Sequence, residues 1–243
     1  MLKPILEVDQ VQFQYREKCI LSGTTFSVYE GEIVALIGLS GSGKTTLFRL
    51  IMGLLEPEKG AIRVGEGITY MRQNDLLLPW RTVIKNLLLF TELGKERNSK
   101  ENWPEKALAL LKEMGLVGYE NAFPHELSCG MRQRVALARV LLQDHPLFLL
   151  DEPFASLDVV IREQLYSLLR NIRNSRKKTI VLVTHDFRDA LALADRICIL
   201  SEGKIVKSYC LPEKIRGNPQ EYTPLIEEIR QILTESYELQ LSG

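Results

Sequence analysis

The chain has 243 residues, 45% of them hydrophobic and 26% charged, enough for one large domain or two small ones around a sizeable core. Its 31 Lys and Arg match 31 Asp and Glu, so there is no basic footprint and no support for nucleic-acid binding. Four scattered cysteines without a C-x-x-C pair, an N-terminus without an apolar leader, and no apolar run near the roughly 20 residues a bilayer requires predict a cytoplasmic protein without disulfides. If it works at a membrane, another chain supplies the spans.

Residues 5–37 alternate in the manner of strands, with Val11, Phe13 and Tyr15 expected on one face and Gly31-Glu32 as a turn. The short apolar run Ile33-Val34-Ala35-Leu36-Ile37 predicts a buried strand. Directly after it comes Gly38-Leu39-Ser40-Gly41-Ser42-Gly43-Lys44-Thr45-Thr46, a G-x-x-x-x-G-K-[ST] pattern, and then Leu47, Leu50, Ile51 and Leu54 at helical spacing. Strand, glycine loop and helix form the context of a phosphate-binding loop. The glycines let backbone N–H groups curl around an anion, and the helix N-terminus adds its dipole. Lys44 is expected to reach the β- and γ-phosphates, and Thr45 to offer its hydroxyl to Mg²⁺. A glycine-rich turn with a chance lysine would leave both flanks unexplained.

Residues 60–72 read as two more short strands, Gly60 to Val64 and Ile68 to Met71, expected to join the N-terminal strands in an antiparallel region. From Leu76 the character changes. Residues 82–142 carry helical periodicity through Val83, Leu87 and Phe90, then Ala107, Leu110, Leu111 and Met114, broken by polar residues 94–104. Strand and helix alternate again at Leu147 to Leu150, Ile180 to Thr184 and Ile197 to Leu200, with helices at about 158–174 and 186–194 between them. Residues 222–235 place Leu225, Ile226, Ile229, Ile232 and Leu233 on one helical face, expected to pack on the core or a partner. The strand Leu147-Phe148-Leu149-Leu150 ends in Asp151-Glu152. Asp151 suits Mg²⁺ held beside bound phosphates, and Glu152, pointing elsewhere, suits a general base for an attacking water. The plainer reading is a solvated acidic turn before Pro153.

Between the glycine loop and Asp151 lies Leu127-Ser128-Cys129-Gly130-Met131-Arg132-Gln133-Arg134. Here the sequence resembles the ATP-binding-cassette (ABC) ATPases, whose signature reads LSGGQ. The resemblance covers nearly the whole chain. Gln73 matches the Q-loop glutamine, Ser156-Leu157-Asp158 the D-loop and His185 the switch histidine, while Tyr15 sits where the family places an adenine-stacking aromatic. The resemblance implies an α/β fold: a P-loop NTPase (RecA-like) core with an antiparallel β region and an inserted helical subdomain. Residues 1–75 and 143–221 would form the core, 76–142 the helical subdomain and 222–243 a C-terminal helix and tail.

It also implies a homodimer in the ATP state, each ATP held between the glycine loop of one copy (Gly38, Ser40, Gly41, Ser42, Gly43, Lys44, Thr45, Thr46) and Ser128 and Gly130 of the other. Those signature groups would open a helix over Arg132 to Leu142, whose N-terminus favours the γ-phosphate. Glu152, His185 and Gln73 would be the catalytic set, with Thr45, Gln73 and Asp151 around Mg²⁺ and Asp158 at the dimer site. Cys129 departs from the pattern. If that position needs positive φ, cysteine costs on the order of 1 kcal/mol, and Cys129→Gly should raise turnover. A redox role for Cys129 is a second reading, behind tolerated drift.

Asp75-Leu76-Leu77-Leu78-Pro79-Trp80-Arg81-Thr82-Val83 and His125-Glu126-Leu127 resemble the nitrate/sulfonate/taurine importer ATPases, a group that includes carriers of thiamine precursors. That branch implies an ATPase on the inner face of the cell membrane, with integral-membrane permease subunits and an extracytoplasmic solute-binding protein. The Leu76 to Trp80 patch would dock the permease or else pack internally. The chain ends soon after the core, which predicts no regulatory domain. The alternatives are a soluble ABC ATPase of an assembly machine, against which Leu76 to Trp80 argues; a P-loop kinase, which leaves the signature unexplained; and a non-hydrolysing binding module, at odds with Glu152 and His185.

Overall fold

The computed structural model describes residues 3–93, 101–212 and 222–242. The polar break expected at 94–104 lies partly outside this range. Strands β1 (Pro4–Tyr15) and β2 (Lys18–Tyr29) form a hairpin, and β4 (Lys59–Val64) pairs antiparallel with β1, giving a three-stranded sheet in the order β2-β1-β4. A second sheet runs β5-β6-β7-β3-β8-β9, from β3 (Ile33–Ile37), β5 (Ile68–Met71), β6 (Leu147–Asp151), β7 (Thr179–Val183), β8 (Arg196–Ser201) and β9 (Lys204–Cys210). Its first five strands are parallel and β9 returns antiparallel.

One expectation needs correction. β5 does not join the antiparallel region; it pairs in parallel with β6, from Ile68 against Leu147 to Met71 against Leu150. Of Val11, Phe13 and Tyr15, the first two are buried, and Tyr15 packs edge-on against Phe13 at 4.9 Å between ring centres. β1 shifts register on either side of Val11 and again between Phe13 and Gln14, and Tyr15 emerges 40% exposed.

Alternation along the buried strands divides the core in layers. Val34, Leu36, Leu149, Val181 and Val183 pack with the antiparallel sheet and α1 (Lys44–Ile51). On the opposite face, Phe148, Leu150, Ile180 and Leu182 meet α5 (Cys129–Leu142) and α6 (Val159–Arg176). Ala35, Ile37, Ile197 and Ile199 meet α7 (Phe187–Leu193) and α8 (Thr223–Ser242), where Leu225, Ile226, Ile229, Ile232 and Leu233 turn to the core as their spacing predicts. Within 76–142, α2 (Val83–Leu87), α3 (Leu89–Leu93) and α4 (Trp103–Glu113) precede α5. No helix among the described residues is long and apolar enough to cross a membrane.

Strand order places the site. β7 lies between β3 and β6, so the segments leaving the C-terminal ends of all three converge on one crevice.

Candidate functional site

An open cleft of about 410 Å³ sits at those strand ends. It is lined by Gly38, Ser40, Gly41, Gly43, Lys44, Thr45 and Thr46 of the glycine loop and α1, and by Gln73, Asp151, Glu152 and His185. Ser42 is buried beneath the loop. Two glycines have specific reasons to be there. A Cβ on Gly38 would meet the Leu200 carbonyl oxygen at 2.3 Å, and Gly43 caps α1 with φ of 105°. Lys44 Nζ donates to the carbonyls of Gly38 and Leu39, both at 2.7 Å. Burial lowers its pKa, while the charges of Glu152 and Asp151 pull it up.

Asp151 is the last residue of β6 and is buried. Its Oδ2 accepts from Thr45 Oγ1 at 3.2 Å and from the Tyr70 hydroxyl at 3.3 Å. Burial raises its pKa against these two donors, and burial with the adjacent Asp151 charge pushes the Tyr70 phenol up to about 12. Glu152 follows in the left-handed region, with φ of 52°. That turn breaks the strand alternation and aims its carboxylate at His185, whose Nδ1 lies 2.8 Å from Oε1. Its backbone is held on both sides: the N–H donates to the Val183 carbonyl at 2.9 Å, and the carbonyl accepts from buried Gln133 Nε2 at 3.0 Å. Burial raises the Glu152 pKa, offset in part by His185.

The signature residues are elsewhere. Ser128 caps α5, its Oγ accepting from the Met131 N–H at 3.2 Å, and the helix begins at Cys129 rather than at Arg132. Cys129 is exposed with ordinary helical backbone, so the positive φ that would make cysteine costly is not required there. Gly130 is constrained instead by neighbours, since a Cβ would lie 3.0 Å from the Ser156 carbonyl oxygen. Asp158 caps α6 through the Ile161 N–H at 3.0 Å. Ser128, Gly130 and Asp158 do not line the cleft, and neither does Tyr15, which packs edge-on to Phe13 and accepts from Arg49. Lys18 and Ile20 of β2 line it in that region. Their place, like the support from Tyr70, is set by packing between distant segments and carried no sequence motif; Gln133 lies in the signature segment, which does not announce its bond to Glu152.

Beyond Gln73 the chain is clamped to the signature helix. Arg132 Nε meets Asp75 Oδ2 at 3.0 Å, and Arg139 donates to the carbonyls of Asp75 and Leu76 at 2.8 and 3.0 Å. Buried Asn86 shapes the next turn, accepting from the Leu78 N–H at 2.7 Å and donating to the Arg81 carbonyl at 2.9 Å. The turn presents Trp80 to solvent, 70% exposed; Leu76, four residues earlier, is also exposed, while Leu77 enters the core.

Residues 21–155 match the family model described as ABC transporter. The formylaminopyrimidine import ATP-binding protein ThiZ of Halalkalibacterium halodurans is 42% identical over 205 residues, 83% of this chain and 81% of that protein. The aliphatic sulfonates import ATP-binding protein SsuB 1 of Rhodococcus jostii is 39% identical over 224 residues, 88% of each chain. Among solved structures, the ATP-binding cassette MJ0796, in a dimeric post-hydrolysis state bound to ADP and Pi, superposes with a TM-score of 0.78 at 29% identity, covering 85% of this chain and 99% of that one. The family match takes in more than half of the chain and the relatives most of it: the chain belongs to the ABC transporter family and is one of its ATP-binding, ATP-hydrolysing subunits.

Proposed function

We propose that this chain powers a membrane importer of a small solute, working as a homodimer against integral-membrane permease subunits on the inner face of the membrane, with an extracytoplasmic solute-binding protein completing the system. The observation that carries the reading is the separation within one chain of the phosphate cleft from the signature residues. The glycine loop, Glu152 and His185 face the cleft, while Ser128, Gly130 and Asp158 stand away from it. A second copy placed head to tail would bring Ser128 and the α5 N-terminus to the open side of the bound ATP, where exposed N–H groups and the helix dipole favour the γ-phosphate. The dimeric cassette with ADP and Pi and the two import ATP-binding relatives support this assembly.

Within each site Glu152 acts as general base toward the attacking water, and His185, bonded to it, contacts the γ-phosphate. Thr45, Asp151 and Gln73 offer oxygen donors, the hard set that suits Mg²⁺ completed by phosphates and water. Bound there, Mg²⁺ would neutralise charge on the β- and γ-phosphates. Exposed Trp80 and Leu76 favour permease docking over internal packing.

Purification of the tagged protein from its own cells in mild detergent tests the reading. A multi-spanning partner should co-purify with the wild type and be lost with Trp80→Asp, whose ATPase activity in isolation stays intact. Soluble partners alone, even after cross-linking, would replace the importer reading with an assembly ATPase.

A further inference from the structure

Both chain neighbours of His185 are held by a buried network that reaches back behind Glu152. Thr184 Oγ1 donates to Asp189 Oδ2 at 2.7 Å and accepts from the Asp186 N–H at 3.0 Å. Tyr166 donates its hydroxyl to the other Asp189 oxygen. Arg162, its side chain 16% exposed, pairs through Nη1 with Asp186 Oδ2 at 2.6 Å and Asp189 Oδ1 at 3.4 Å. Through Nη2 the same guanidinium donates to the carbonyls of Phe154 and Leu157, at 3.3 and 3.5 Å. Those carbonyls belong to the segment that joins Glu152 to Asp158. A planar fork with several donors can serve both loops at once, which a lysine ammonium on a flexible stem cannot reproduce. Arg162 itself does not line the cleft.

We propose that Arg162 is a positioning residue for hydrolysis, locking the loop that carries His185 to the segment between Glu152 and Asp158 so that imidazole and carboxylate keep their 2.8 Å contact during attack on the γ-phosphate. The proposal rests on the reading of Glu152 and His185 as the hydrolytic pair. Because both loops flank the same reacting centre, a displacement of either moves one member of the pair relative to the other. Loss of the fork therefore lowers the rate of the chemical step and leaves ATP capture by the glycine loop in place.

The test uses Arg162→Lys and Asp186→Asn in the full chain. Arg188 also pairs with Asp186, at 2.7 Å, so Asp186 keeps a cationic partner when Arg162 is changed. The protein has only three histidines, so ring ¹H–¹⁵N spectra resolve His185 with His125 and His145 as internal controls of folding. The expected result is movement of the His185 ring signals alone, with kcat falling between about tenfold and a hundredfold and ATP KM staying within about twofold. The double variant should fall no further than the worse single one. An unmoved His185 ring with unchanged kcat would overturn the proposal, as would all three rings shifting together with KM. His185→Ala, measured alongside, separates the two levels. Full kcat there removes the reading of the hydrolytic pair itself, whereas loss in His185→Ala without loss in Arg162→Lys removes the role of Arg162 alone.

Discussion

Glu152→Ala and Glu152→Gly form a pair that measures the backbone strain stored at the catalytic carboxylate. Glu152 sits at φ of 52°, where an L-residue brings its Cβ against the following carbonyl. Both substitutions delete the carboxylate, its burial and its contact with His185, so those contributions cancel between them. Only alanine keeps the Cβ. The left-handed conformation costs an L-residue about 1–2 kcal/mol, and the larger freedom of glycine in the unfolded chain offsets about 0.4–1 kcal/mol of that relief. The difference spans about 0–1.6 kcal/mol, and its central value makes the glycine variant the more stable by about 0.8 kcal/mol. In a chain of this size that is a melting point higher by roughly 1–4 °C. Urea unfolding of both proteins, with equal slopes, gives the difference directly, and neither variant should turn over ATP. An alanine variant more stable than the glycine variant would refute the claim that strain is held at this residue and aims its side chain at His185.

Other outcomes follow from the same geometry. Gly38→Ala would place a Cβ 2.3 Å from the Leu200 carbonyl oxygen and 2.7 Å from Ser42 Oγ, so a loss of about 1–3 kcal/mol of stability and of ATP binding is expected by calorimetry. Cys129→Gly should leave turnover within about twofold, because the cysteine already has helical backbone; a large rise would show that its side chain, not its φ, restrains the site. The acid limb of kcat against pH should lie above the ordinary glutamate value, because burial raises the Glu152 pKa and the base must be ionised. By linkage, the stability tied to protonated Glu152 is full below its unfolded pKa and lost as pH rises through the folded one, so Glu152→Gln should gain on the wild type as pH rises across that window.

What was legible in the sequence was what local chemistry dictates. The glycine loop, its flanking strand and helix, and the carboxylates ending an apolar strand each announce themselves within about ten residues, and the helical face of Leu225 to Leu233 is periodic. Pairing partners are not local. Nothing in Ile68 to Met71 says that its neighbour is β6, a strand that begins at Leu147, and β9 lacked a distinctive pattern and was not anticipated. The register shifts in β1 are backbone irregularities with no residue signature. At Cys129, family likeness identified the position but not its dihedral angle, and so suggested a strain that the helix start does not impose. Arg162 reads as a surface-compatible polar residue until packing brings it to the His185 loop, and the signature segment that contains Gln133 does not announce its bond to the Glu152 carbonyl.

The central claim is that each hydrolytic site is completed by a second copy. Mixing two inactive variants tests it most directly: Lys44→Ala, which disables the phosphate loop, and Ser128→Arg, which blocks the α5 N-terminus. In an equal mixture the mixed dimer contains one site built wholly from intact parts, so hydrolysis should reappear at about a quarter of the wild-type site count. No recovery on mixing, or full activity of Ser128→Arg on its own, would contradict a site shared between two copies.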